Sequence, residues 1–229
     1  MKELKSICDV KTCMLCRLCL KEWLPAIQTR RKNFLLNKGE ILFREGDEMK
    51  GIYFVYKGTV KVHKQWNEEK ELILRFAKDG QIVGHRGLGN DPFFPVSATA
   101  LERTSVCFID QEFFISSLRI NQDFLYELMM FFAAELKESE KNMRNLAHMP
   151  VKGRIAQALF VLRDKFGTDT ENVIKIQLTR QDIASFVGTT YETLFRIMNE
   201  MIGEGSIESL EKKIRIVDEE KLSSYIKTF

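Results

Sequence analysis

The sequence predicts an α+β chain: a β-roll of the jelly-roll type, a long helix, and a small winged helix-turn-helix domain. Three observations carry this. Short apolar runs separated by turn signals fill residues 34 to 110. An apolar seam stepping alternately four and three residues runs from Leu125 to Leu146. Two short helical patterns joined by a glycine occupy Leu178 to Gly205. With 229 residues, 45% of them apolar, the chain can pack one large or two small cores.

The first twenty residues form a cysteine-rich arm. Cys8, Cys13, Cys16 and Cys19 follow a C-x4-C-x2-C-x2-C spacing, and Cys107 lies far downstream. Gaps of two residues bring thiolates toward a common point. That suits an iron–sulfur cluster, a zinc ion or a reactive thiol pair. Taken alone, Cys107 reads as a small hydrophobe on a buried strand. No run of 18 apolar residues suggests a membrane span, and the N-terminus lacks the apolar core of a secretory signal. A cytoplasmic location is therefore expected, with the cysteines as thiols or metal ligands.

Residues 21–116 are expected to form the sensory roll. A short helix over Glu22–Gln28, interrupted at Pro25, precedes it. Strands are expected at Ile41–Phe43, Ile52–Tyr56, Thr59–His63, Leu72–Phe76, Val96–Ala100 and Val106–Ile109. Turn signals such as Asn37-Lys38-Gly39, Lys57-Gly58 and Asp79-Gly80 separate them. The stretch Gly84-His85-Arg86-Gly87-Leu88-Gly89 is a candidate ligand loop, since glycine-rich backbone with His85 and Arg86 can cradle an anion; the plainer reading is a β-turn. His63, His85 and His148 are the only histidines. No Ser/His/Asp set, paired carboxylates, phosphate loop or histidine cluster stands out, so the chain is read as a non-enzyme.

Residues 117–149 are expected to be a dimerisation helix and hinge, the helix running from about Asn121 to Ala147 with Asn121 or Ser117 as cap. Its seam is Leu125, Met129, Phe132, Leu136, Ser139, Met143 and Leu146. Such a seam suits a two-fold partner, or packing within its own subunit. Pro150 ends the helix because the residue before proline avoids helical geometry.

Residues 150–229 are expected to be the winged helix-turn-helix. Thr179 and Asp182 read as one capping box, Thr189 and Glu192 as a second, with Gly188 turning between them. Leu194, Ile197, Met198 and Met201 fall on one face of the second helix. Tyr191, Glu192, Phe195 and Arg196 fall on the other. A carboxylate accepts from cytosine N4 and a guanidinium bridges guanine O6 and N7; the plain alternative for Glu192 and Arg196 is a surface ion pair. Val151 to Phe229 carries twelve basic and twelve acidic residues, so phosphate contacts must be local. Lys152, Arg154, Arg180, Arg196, Lys212, Lys213 and Arg215 are the candidates. Ser206–Leu210 and Lys213–Val217 read as the wing.

The residues RQDIA, VGTTYET and Arg196, together with the segment KGEILFREGDEMKGIYFVYKGTVKV, resemble the CRP/FNR family of bacterial regulators across nearly the whole chain. The resemblance implies a homodimer that reads a palindromic operator in double-stranded DNA and works with RNA polymerase. Glu192, Thr193 and Arg196 match the family's E-T-x-x-R core, implying a G·C-containing half-site. Arg180, Thr189, Thr190, Tyr191 and Phe195 complete the expected contact set. Phe195 departs from the family's Ser or Gly, and Tyr191 from its Arg or Val. The oxygen-sensing branch implies a [4Fe–4S] cluster on Cys13, Cys16, Cys19 and Cys107, with Cys8 as alternate, although that branch has a longer second gap. Its Asp in the dimer seam is Ser139 here, so the metal-free chain is expected to dimerise. Cyclic nucleotide is disfavoured, because His85 stands in the ribose-binding Glu place and Pro95-Val96 in the phosphate-binding Arg-Ser place. Haem, through His85 or His63, and zinc remain open. A redox, oxygen, nitric-oxide or small-ligand signal is thus expected. The alternatives are an iron–sulfur electron-transfer protein and a small-ligand regulator without a cluster.

Overall fold

The computed structural model describes residues 2–4, 11, 13–67, 70–210 and 213–227, as two compact units, residues 1–136 and 137–229. Cys8 and Lys212 lie outside the described residues.

The first unit holds two antiparallel sheets. One contains β1 (Lys2–Leu4), β2 (Lys32–Leu36), β4 (Gly51–Lys57), β7 (Ile82–Val83) and β9 (Thr104–Asp110), in the order β1-β2-β9-β4-β7. The other contains β3 (Ile41–Phe43), β5 (Val60–Gln65), β6 (Glu71–Ala77) and β8 (Ser97–Ala100), in the order β3-β8-β5-β6. Phe54, Val55, Val106 and Ile109 from the first sheet share one apolar cluster with Val60, Val62, Ala98 and Ala100 from the second. Every expected strand is present. β1, β2 and β7 were not expected, since they are short or lack clean alternation.

Three helices lie on the roll. α1 (Met14–Leu18) buries Leu15 completely, and the Met14 amide donates to the Gly80 carbonyl at 3.1 Å. α2 (Leu24–Arg30) has Pro25 in its first turn, so the proline starts this helix rather than interrupting it; its missing N–H is not needed there. α3 (Gln111–Ile120) was not expected. Asp110 caps it through Oδ1, which accepts from the Phe113 amide at 2.9 Å. Ser117 therefore lies inside α3, buried, and accepts from Trp23 Nε1 at 2.9 Å. It caps nothing.

The long helix α4 spans Gln122–His148. Asn121 caps it, accepting from the Phe124 amide at 3.0 Å while its Nδ2 donates to the Leu18 carbonyl at 2.7 Å. One side chain thus sets the start of α4 and anchors the end of α1. Phe124 and Leu128 enter the roll's core.

The second unit comprises the C-terminal part of α4, α5 (Val151–Phe166), α6 (Arg180–Val187), α7 (Tyr191–Gly203), the hairpin β10 (Ile207–Leu210) and β11 (Lys213–Ile216), and α8 (Glu219–Lys227). α5 begins at Val151, directly after Pro150. Gly153 within it serves close packing: a Cβ there would stand 2.7 Å from the Tyr225 carbonyl oxygen of α8. Ile155, Leu159, Leu162, Ile183, Leu194, Met198 and Leu222 are buried in this unit.

Candidate nucleic-acid interface and sensor elements

α6 opens with the expected capping box. Thr179 Oγ1 accepts from the Asp182 amide at 3.0 Å, and Asp182 Oδ2 accepts from the Thr179 amide at 3.2 Å. Gly188 ends it at φ 72°, a left-handed conformation that strains any residue with a Cβ. The second cap is shifted by one residue. Thr190, not Thr189, caps α7, its Oγ1 accepting from the Thr193 amide at 3.3 Å. The Thr189 amide is used by the turn, donating to the Ala184 carbonyl at 3.0 Å. Two adjacent threonines offer two registers, and closure of the α6 turn decides between them.

Leu194, Ile197, Met198 and Met201 anchor α7 in the core, so the opposite face is solvent-exposed. It carries Glu192, Arg196 and the rings of Tyr191 and Phe195, which stack with centroids 6.3 Å apart at 12°. Arg196 keeps 65% of its side chain exposed and pairs with Glu200 at 2.7 Å. The i,i+4 partner is thus the following glutamate, not Glu192. Glu192 titrates low because its own backbone amide, and then Thr190, hydrogen-bond its carboxylate at the helix start.

The other proposed phosphate contacts are mostly engaged in holding the unit together. Lys152 bonds Glu204 at 2.5 Å and lies 4.4 Å from the Tyr225 ring. Arg215 bridges Glu171 and Glu208, each at 3.1 Å. Arg154 is partly buried, and that burial pulls its pKa down. Arg180 donates to Ser209 Oγ at 2.6 Å, tying the start of α6 to the wing. Lys213 is half-buried at the start of β11.

In the first unit, Cys13, Cys16 and Cys107 are buried and Cys19 is partly exposed; none is in a disulfide. Cys13 Sγ caps α1, accepting from the Cys16 amide at 3.4 Å. Burial, and then the neighbouring Cys13, pushes the Cys19 thiol up. Among the described residues, no three Cys, His, Asp or Glu side chains gather into a group able to hold a metal ion.

The candidate ligand loop forms a short 3₁₀ turn, His85–Gly87, with His85 and Arg86 facing α4. There they meet Glu135, which sequence reasoning missed because nothing in FFAAELKE marks it. Glu135 Oε1 lies 2.7 Å from Arg75 Nη1. Its Oε2 lies 2.9 Å from Arg86 Nη2 and 3.6 Å from His85 Nε2. Burial alone would raise the Glu135 pKa; the His85 ring, Arg75 and Arg86 override it and hold the carboxyl far below the usual range. Burial pushes the His85 pKa down, which favours the neutral ring. The edges of Phe131 and Phe132 flank that ring, with centroids at 5.1 and 5.3 Å.

His63 is engaged within the β5–β6 hairpin. Its Nδ1 lies 2.7 Å from Glu71 Oε2 and its Nε2 lies 2.9 Å from Thr99 Oγ1. Glu71 is driven to about 2: burial opposes this, but hydrogen bonds from His63 and Lys61 prevail. Neither ring nitrogen of His63 is presented to a haem.

Two family descriptions match the chain: a cyclic nucleotide-binding domain over residues 34–121 and a Crp-like helix-turn-helix domain over residues 153–225. The cAMP-activated global transcriptional regulator CRP of Salmonella typhimurium is 32% identical over 178 residues, which are 76% of this chain and 83% of that protein. The transcriptional activator protein FnrA of Stutzerimonas stutzeri is 29% identical over 185 residues, 80% of this chain and 75% of that one. Among solved structures, FixK2 from Bradyrhizobium japonicum superposes with a TM-score of 0.75 at 22% identity, covering 85% of this chain and 96% of FixK2.

Proposed function

The chain belongs to the CRP/FNR family of transcription regulators with a DNA-binding helix-turn-helix, and we propose that it works as a homodimer on a palindromic operator. The observation that carries this reading is the seam of α4. Leu125, Met129, Phe132, Leu136, Met143 and Leu146 are 36 to 62% exposed, all on one stripe. A contiguous apolar stripe left in water is unfavourable, and a second copy of α4 covers it in register. Two-fold symmetry then presents two copies of α7 to successive major grooves, about 34 Å apart. Exposed Glu192 and Arg196 are the base-reading pair, and the α6 N-terminus with the wing supplies backbone contacts. RNA polymerase is the partner expected by analogy with the family.

The signal enters at the N-terminal unit. Cyclic nucleotide is not the expected effector: Arg75 and Arg86 already share the carboxylate of Glu135, and Pro95-Val96 offer a phosphate neither charge nor hydroxyl. The arm is the proposed receptor: Cys16 lies in α1, the helix that Asn121 fastens to α4, and Cys13 and Cys19 cap it. A redox change there would shift the population between arrangements of the DNA-binding unit.

Three experiments test this. Light scattering on metal-free protein should give twice the 26.7 kDa chain mass; a monomer overturns the dimer. In a gel shift against a palindromic site library, Arg196→Ala should cost about 1–3 kcal/mol and relax preference at one base pair. Uniform weakening across all sequences would reassign Arg196 to phosphate. The absorption spectrum of anaerobically purified protein separates the sensor chemistries. A broad visible shoulder would mean iron–sulfur ligation by the arm, a sharp Soret band haem, and neither would leave thiols, zinc or a small ligand.

A further inference from the structure

The recognition helix carries a feature that the Glu192/Arg196 core does not explain. Tyr191 and Phe195 are 43% and 52% exposed, and their rings lie nearly parallel. Both point away from the core that Leu194, Met198 and Met201 fill. Tyr191 is the first residue of α7, so the pair occupies the end of the helix that leads into a groove. Two adjacent aromatic rings in water are costly unless something apolar covers them. In the major groove the apolar group that a base presents is the C5-methyl of thymine. The other groups on the base edges there are hydrogen-bond donors and acceptors, which a phenyl ring cannot satisfy.

We propose that Tyr191 and Phe195 form a methyl-reading platform that selects thymine beside the G·C pair read by Arg196. This inference rests on the DNA-reading role of α7 and adds the base identity at the flanking position. Phe195 makes the apolar contact. Tyr191 backs it by stacking, which holds the Phe195 ring in one orientation and shields its inner face. Stripping the platform should therefore remove sensitivity to one methyl group while leaving the contacts of Glu192 and Arg196 intact.

The test uses the full-length protein on the best duplex selected from a randomised palindromic pool. Thymine at the flanking position should be enriched by wild type and lose its enrichment with Phe195→Ala. Replacing that thymine by deoxyuridine removes only the methyl group. Wild type should then bind about fourfold more weakly, the value of one buried carbon. Phe195→Ala should bind the two duplexes equally, and Tyr191→Ala should show a reduced difference. Both residues are exposed, and neither is needed for the core. If wild type binds its selected duplex specifically but is indifferent to deoxyuridine, or if Phe195→Ala keeps the full discrimination, the methyl platform is wrong and the DNA reading stands. If wild type selects no sequence at all, and Arg196→Ala changes nothing, the DNA reading itself fails and the platform falls with it.

Discussion

Glu135 is the residue whose removal should be felt most in the N-terminal unit. Glu135→Gln keeps the volume but removes the charge that Arg75 and Arg86 share. Arg75 then loses its charged partner and is left with neutral ones: the Gln amide oxygen, the Ile82 carbonyl, which its Nη2 reaches at 2.7 Å, and the Phe131 ring, 5.5 Å away, while its side chain stays 10% exposed. Breaking a buried ion pair by deleting one partner costs about 3–5 kcal/mol. Glu135 and Arg86 are 21% and 28% exposed, so solvent recovers part of this, and about 3 kcal/mol is the expected loss. With a urea dependence of about 2 kcal/mol per molar, the unfolding midpoint should fall by about 1.5 M. The assay is clean because the chain's two tryptophans, Trp23 and Trp66, both lie in this unit. Trp23 stacks on Phe113 at 5.5 Å and hydrogen-bonds Ser117, so its fluorescence reports unfolding of the roll. Pairing the change with Arg75→Met should recover most of the loss, because the orphaned charge goes too. A midpoint unchanged in Glu135→Gln would show that the cluster is effectively solvated and does not hold α4 on the roll.

Stability of the same unit should fall with pH in two windows. His85 has a depressed pKa, so below about 6.5 the unfolded chain takes up a proton that the folded chain refuses, and stability drops as pH falls. Glu135 is likewise depressed, and it adds a second loss below about 4.3. His85→Gln should flatten the urea midpoint between pH 7 and 5; an unaltered slope would place the titration elsewhere. In the seam, Leu136→Glu puts like charges opposite each other across the two-fold, and light scattering should find monomer at micromolar concentration. Persistence of the dimer would mean that another surface holds it. Thr179→Ala removes the first capping box and should cost about 1–2 kcal/mol in the C-terminal unit, read by the loss of helical circular dichroism on heating. A smaller loss would mean that Asp182 alone satisfies the α6 amides.

Much of the architecture was legible in local pattern. The α6 capping box, the Gly188 turn and the four-three seam of α4 are short-range signals. Each depends on residues within one or two helical turns, where spacing alone says which side chains share a face. Legibility failed where a choice was local but its arbiter was not. Thr189 and Thr190 are equivalent as letters, and the carbonyl of Ala184 selected the second. Pro25 reads as a break in sequence because the 3₁₀ turn at Lys21–Trp23, which places it in the first turn of α2, leaves no local signal. α3 escapes a reading from sequence because Gln111–Ile120 straddles the expected boundary between the roll and the long helix at residues 116 and 117.

By itself, the sequence determined the class of the chain, the order of its parts and the outward face of α7, because periodic burial dictates which side of an element is left for water or DNA. Tertiary structure alone decided what becomes of the charges and thiols. Glu135 meets Arg75 and Arg86 from elements about fifty residues or more away in the chain. Lys152 and Arg215 are drawn into internal ion pairs, and Cys13, Cys16 and Cys107 are buried. Such groups are placed by long-range packing in a low-dielectric interior, where a charge takes whichever partner the fold brings within about 3 Å.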